Sequence, residues 1–121
     1  MHEFSICTQI VDAAIDEYDR LSPAPQRLSK VRVVVGRMHQ IVPEHLIFAY
    51  EVLTRGTAAE GSEIELVPVP VAASCPSCGW CGTLELPVFR CGDCGAREIE
   101  VQGGKELYLE HIEVEWPGDC T

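Results

Sequence analysis

Basic residues are scarce in this sequence. Nine Lys and Arg stand against nineteen Asp and Glu, a formal net charge of −10. Neutralising nucleic-acid phosphates takes clustered Lys and Arg, so the charge balance excludes DNA and RNA as partners. An acidic surface suits cations and basic protein partners instead. Long apolar runs are missing too, and none of the length needed to span a bilayer occurs, so no membrane role is expected. The opening Met1-His2-Glu3-Phe4-Ser5 has neither the basic stretch nor the apolar stretch of a secretion signal. Internal repeats and low-complexity tracts are absent. The apolar share is 46%, ordinary for a globular chain and too high for a disordered one. A length of 121 residues accommodates one compact domain, or one domain carrying a small satellite.

Cysteine, by contrast, is plentiful. Seven cysteines without a secretion signal indicate a cytoplasmic, metal-binding protein and not a disulfide framework. Their spacing sharpens this. Cys75-Pro76-Ser77-Cys78 and Cys91-Gly92-Asp93-Cys94 are two Cys-x-x-Cys pairs separated by a short, strand-like segment. Each pair presents two thiolates from one tight turn, and two facing turns supply the four soft ligands of a tetrahedral zinc site. A glycine follows each pair, Gly79 and Gly95, and can take the positive φ that aims backbone N–H groups at sulfur. Cys78-Gly79-Trp80-Cys81 forms a competing pair. Cys75 and Cys78 are favoured over it because Pro76 stiffens the first turn. Cys81 is then a spare thiol or a small hydrophobe.

Along the chain, residues 4–21 form an amphipathic helix, with Cys7, Ile10, Val11, Ala14, Tyr18 and Leu21 at three-and-four spacing. Pro23 and Pro25 end it. A strand is expected over Lys30–Gly36, then a loop to Val42. Pro43 starts a second helix whose apolar face is Leu46, Ile47, Ala49, Tyr50 and Leu53, and Gly56 stops it. Glu63–Val69 is a second strand, and Pro68 and Pro70 assign it to a sheet edge or a linker. The cysteine module, about Ala72–Gly104, has too few apolar residues for its own core and needs a metal. Within it Glu98–Val101 is a short strand. The last strand, Glu106–Trp116, changes phase: Leu107 and Leu109 are apolar at odd positions, Ile112, Val114 and Trp116 at even ones. A regular strand cannot do this on one face, so the pattern demands a break near Glu110-His111. A strand that leaves the cysteine module and returns to the first sheet accounts for it, which makes the module an insertion. The expected fold is α/β, two helices packed on a three-stranded mixed sheet, with an inserted zinc-ribbon-like domain. Its exposed edge strands suit a monomer or a weak dimer.

A second metal candidate lies at the start. The α-amine of Met1, the peptide nitrogen of His2 and its imidazole can close adjacent five- and six-membered chelate rings around one ion. Ni²⁺ and Cu²⁺ favour planar nitrogen sets of this kind. Glu3 would add a carboxylate or its backbone nitrogen; its plainer role is a favourable charge at a helix N-terminus. The terminal amine must lose its proton, so affinity should fall with pH. His39 and His45 flank the second helix and are within reach of the N-terminus, although a surface role is the simpler one. His111 sits where the last strand changes phase and is read as structural.

Met1-His2-Glu3 opening a helix, the paired Cys-x-x-Cys motifs, Pro43-Glu44-x-Leu46-x-Phe48-Ala49, and Gly104-Lys105-Glu106-Leu107 before an acidic strand together resemble the HypA/HybF family of hydrogenase maturation nickel chaperones. The resemblance covers essentially the whole chain. It implies Ni(II) as a transported ion bound by Met1, His2 and Glu3, and a structural Zn(II) held by Cys75, Cys78, Cys91 and Cys94. It implies a nickel-binding α/β domain over 1–70 and 105–121 and a zinc-binding domain over 71–104. It also implies delivery to the NiFe hydrogenase large subunit with a HypB-type GTPase, urease accessory proteins being further partners of some members. No enzymatic role is expected, because a site closed by four thiolates lacks the open position catalysis needs. Cys81 and Cys120 depart from the family pattern. The competing reading is a zinc-ribbon protein-interaction adaptor in which His2 has no role.

Overall fold

The computed structural model describes residues 2–84 and 88–117, and the side chain of His2 lies outside that description. Helix α1 spans His2–Asp19 and strand β1 spans Arg27–Gly36. A 3₁₀ turn over Arg37–His39 leads to helix α2, Pro43–Leu53. Strands β2 (Glu63–Val69), β3 (Ala72–Ser74), β4 (Cys81–Thr83), β5 (Glu100–Val101) and β6 (Leu107–Glu115) complete the described elements. No described helix is long and apolar enough to cross a membrane.

Two three-stranded sheets form, in the orders β2-β1-β6 and β4-β3-β5. The first is mixed. Backbone bonds from Gln26 N to Glu115 O and from Gly36 N to Glu106 O make β1 and β6 antiparallel. β2, which contains Pro68, is an edge strand, the position in a sheet that tolerates proline. In the second sheet β3 is antiparallel to both neighbours, with Ala73 opposite Gly82 and Val101.

The chain divides into two compact units. The first comprises Met1–Val33, Ile41–Val67 and Tyr108–Thr121. Its core is the apolar stripe of α1 (Cys7, Ile10, Val11, Ala14) with Leu28, Val31 and Val33 of β1 and Leu46, Ala49 and Tyr50 of α2, all buried. The Tyr50 hydroxyl is satisfied by Ser62 Oγ at 2.6 Å. Pro43 stands at the start of α2, and after Leu53 the Thr54 hydroxyl caps the Tyr50 carbonyl at 2.7 Å. Glu110 and His111 are consecutive and both exposed, so the half-buried side of β6 switches parity there, as the apolar pattern requires. Glu110 also receives Arg32 at 3.0 Å, and Arg32 reaches Glu65 of β2 at 3.3 Å, a charge bridge across all three strands.

The second unit, Val34–Gln40 with Pro68–Leu107, has a small core. Val71, Ala73 and Leu84 are buried, and Met38, Trp80, Ile99 and Val101 pack around them. Backbone closes tightly here: Gly36 N donates to Glu106 O and Met38 N to Gly104 O.

Candidate metal centre

Two turns of the second unit bring four cysteines together. In the first, Gly79 N donates to Cys75 O at 2.9 Å and Cys75 N to Trp80 O at 2.8 Å. In the second, Cys91 N donates to Ala96 O at 2.9 Å. Gly79 and Gly95 take φ of 81° and 74°, values that glycine adopts freely. Trp80 lies flat against two further glycines: a Cβ on Gly82 would meet its ring at 2.7 Å, and one on Gly92 at 2.9 Å. The indole thereby meets both β4 and the second cysteine turn.

The Sγ atoms of Cys75, Cys78, Cys91 and Cys94 all lie within 4.8 Å of one another. Cys75 and Cys94 are 3.7 Å apart, Cys78 and Cys91 3.5 Å. A tetrahedral ion with Zn–S bonds of about 2.3 Å has an edge of about 3.8 Å, so this donor set fits zinc. Cys75 and Cys91 are buried while Cys78 and Cys94 face solvent. Cys81, at the start of β4, is exposed and outside the cluster, with its thiol directed to Gly79 O at 3.9 Å.

Cys91 and Cys78 do not ionise alike. Burial raises Cys91, but N–H bonds from Cys94 and Asp93, each at 3.3 Å, and the adjacent Cys78 outweigh it and hold the thiol at about 6. A backbone bond at Trp80 favours the Cys78 thiolate, yet the neighbouring sulfurs, Cys91 foremost, push it up to about 12. One negative charge thus settles on Cys91 and resists a second beside it. A divalent cation removes that conflict, because it lets every thiol ionise. Cys7 differs altogether: burial alone pushes it up to about 11, and its Sγ faces Leu46 O inside the first unit's core.

The N-terminal candidates are placed in part. Met1 and the side chain of His2 lie outside the described residues, as does Cys120. α1 begins at His2, and Glu3 Oε2 accepts from Val42 N, the residue before α2, at 3.5 Å. Phe4 and Phe48 meet edge to face with centroids 6.5 Å apart. Glu3, Phe4, His45 and Phe48 line one recess of about 260 Å³. His39 is elsewhere, its Nε2 bonded to Lys105 O at 2.9 Å. His111 lies between Glu110 and Glu113, at 3.6 Å and 3.3 Å. The four sulfurs form the one cluster of three or more metal-ligating side chains among the described residues.

Comparisons with known proteins bear on the family and the fold. Residues 1–114 match a family model described as hydrogenase/urease nickel incorporation, metallochaperone, hypA. The chain is 37% identical over 115 residues to hydrogenase maturation factor HypA of Chlorobium limicola, covering 95% of this chain and 97% of that one. It is 36% identical over 115 residues to the factor of the same name from Acidithiobacillus ferrooxidans, covering 95% and 100%. In fold it is similar to the solution structure of the Ni metallochaperone HypA from Helicobacter pylori, with a TM-score of 0.60, 16% identity and coverage of 94% and 97%. A second solution structure of a HypA protein gives a TM-score of 0.64 at 17% identity, covering 94% and 96%. The chain belongs to the HypA family of nickel metallochaperones for hydrogenase maturation, proteins that bind and hand on a metal and are not enzymes.

Proposed function

We propose that this chain binds Ni²⁺ through Met1, His2 and Glu3 and passes it to the large subunit of a NiFe hydrogenase, with a HypB-type GTPase as partner. Zn²⁺ on Cys75, Cys78, Cys91 and Cys94 is structural. The work is divided between a nickel-binding part, 1–70 and 105–121, and a zinc-binding part, 71–104, and takes place in the cytoplasm. Urease accessory proteins are a second class of partner. The observation that carries the reading is the family match over residues 1–114, which includes all seven of these residues.

Chemistry supports the division of labour. A closed set of four thiolates holds zinc without an open position, which suits structure and not transfer. A few-ligand nitrogen site at a chain end suits an ion that must be released. The α-amine is the group that controls loading. It has a reference pKa of about 8, so it competes with metal for a proton near neutrality and affinity falls as pH drops. Family membership argues against the adaptor reading, which gives nickel no part.

Two measurements test this. In cells lacking their own copy of the protein, the native chain should restore hydrogenase activity at low nickel, and His2→Ala should not. Full restoration by His2→Ala would leave the nickel role without support. Alkylation followed by mass spectrometry tests the zinc ligands. In the zinc-loaded protein Cys81, which is exposed, should react and buried Cys7 should not. Cys75, Cys78, Cys91 and Cys94 should become reactive once a chelator removes the metal. Protection of Cys81 in place of Cys75 would shift the ligand set to the competing pair, Cys78 and Cys81.

A further inference from the structure

We infer that the exposed side of α2 is a docking surface for the protein that receives the ion, and that it takes an apolar side chain flanked by Lys or Arg. The inference rests on the delivery role proposed above and adds to it the place of contact. α2 is apolar on two sides. Leu46, Ala49 and Tyr50 are buried in the first unit's core. Val42, just before the helix, and Ile47 and Phe48 within it stay 39%, 39% and 56% exposed. A helix that is apolar all round belongs in a buried setting, and grouped apolar side chains on a surface mark a contact site. Phe48 is held in place, because Phe4 of α1 packs on it edge to face. With Glu3 and His45 these two rings line a recess of about 260 Å³, room for one apolar side chain. Aromatic anchors of this kind carry much of the energy of an interface.

Charge selects the occupant. Ile47 also borders a second hollow, of about 440 Å³, whose lining includes Glu51, Glu63, Glu65 and Lys30. Lys30 is already paired with Glu65 at 3.9 Å, and Glu51 and Glu63 have no cationic partner among the described residues. Neither α1 nor α2 contains a Lys or Arg, whereas seven of their residues are Asp or Glu. A two-fold dimer would set this patch against itself and bring acid onto acid, so a second copy is a poor fit. A basic surface fits, with its apolar side chain in the recess and its cations over Glu51 and Glu63. Glu3, assigned to nickel above, lines the same recess, so the recipient of the ion is the partner that this face serves.

The test is binding of the zinc-loaded full chain to the purified, nickel-free precursor of the hydrogenase large subunit, over a range of salt concentrations. Native protein is compared with Phe48→Ala and with the double variant Glu51→Lys, Glu63→Lys. All three residues are exposed, so circular dichroism and zinc content should match the native chain in both variants. Native binding should weaken as salt is added. Phe48→Ala should bind at least about tenfold more weakly. The double variant should bind more weakly and lose most of the salt dependence. Native affinity in both variants would overturn the inference and leave the delivery role intact. Self-association of the native chain that Phe48→Ala abolishes, with precursor binding unchanged, would assign the face to a second copy and overturn it too. A native chain that does not bind the precursor at all would remove the delivery role, and this inference with it.

Discussion

Replacing Cys91 with serine is expected to strip zinc from the protein and unfold the unit that carries it. The Cys91 thiol is held at about 6, with two N–H bonds fixed on its sulfur, and a serine oxygen is a hard, protonated substitute. The second unit has little else to hold it. Its apolar cluster buries only Val71, Ala73 and Leu84, of which the two larger contribute about 1.5–3 kcal/mol each at most, and Val34 and Val35 at the end of β1 add two more buried side chains. Ordering the backbone costs about 1–2 kcal/mol for every residue. Structural zinc supplies about 10 kcal/mol or more, so it decides the balance. Loss of zinc by elemental analysis should coincide with loss of amide protection at Ala73, Gly82 and Gln102, the last of which donates to Ala72 O. Protection should persist in α1 and α2, whose core of Ile10, Val11, Leu46 and Tyr50 is made within the first unit. A zinc-free variant that keeps the β3 amides protected would show that the apolar cluster is sufficient without metal.

Gly36→Ala should be the most damaging single methyl that can be added to the chain. A Cβ there would lie 2.1 Å from Gly104 O and 2.7 Å from Glu106 N, and both are backbone atoms that cannot rotate aside. Relief requires separating β1 from the chain entering β6, at the cost of the Gly36–Glu106 and Met38–Gly104 hydrogen bonds. Overpacking of this kind costs about 3 kcal/mol, which corresponds to a fall of about 10 °C in Tm for a chain of this size. Gly61→Ala is the control. It has φ of 80° but nothing within 4 Å of the added methyl, so only the backbone strain of about 1 kcal/mol applies. Thermal unfolding of the zinc-loaded variants decides between them. Equal effects would mean that the approach of Gly36 to Gly104 is not a fixed feature of the native state.

Much of this was legible locally. The three-and-four spacing of Cys7, Ile10, Val11 and Ala14 predicts the buried face of α1, and those residues are buried. Pro43 marks the start of α2, and Pro68 the edge position of β2. The parity change at Glu110-His111 is carried by side-chain pattern alone. The elements that were not legible depend on distant partners. β1 begins at Arg27 and not at Lys30, because residues 26 and 29 are held by Glu115 O and Glu113 O from the other end of the chain. β3 and β4 read Ala-Ala-Ser and Cys-Gly-Thr, with little strand propensity; the cysteine turns place them side by side. β5 is shortened to Glu100–Val101, where β3 runs out of residues to pair. Gly82 and Gly92 carry a requirement that spacing does not reveal, because it comes from the ring of Trp80. The recess joining Glu3 to His45 likewise exists only once α1 and α2 pack.

The central claim is that nickel is carried by the free N-terminus, and calorimetric titration with Ni²⁺ tests it most directly. Three zinc-loaded proteins would be compared at neutral pH: the native chain, the chain extended by Gly-Ser before Met1, and His2→Ala. The extension leaves every side chain in place and removes only the terminal amine from its position beside His2. Tight binding of one Ni²⁺ by the native chain alone is the predicted result. Equal binding by all three would contradict the account and move the nickel away from Met1 and His2.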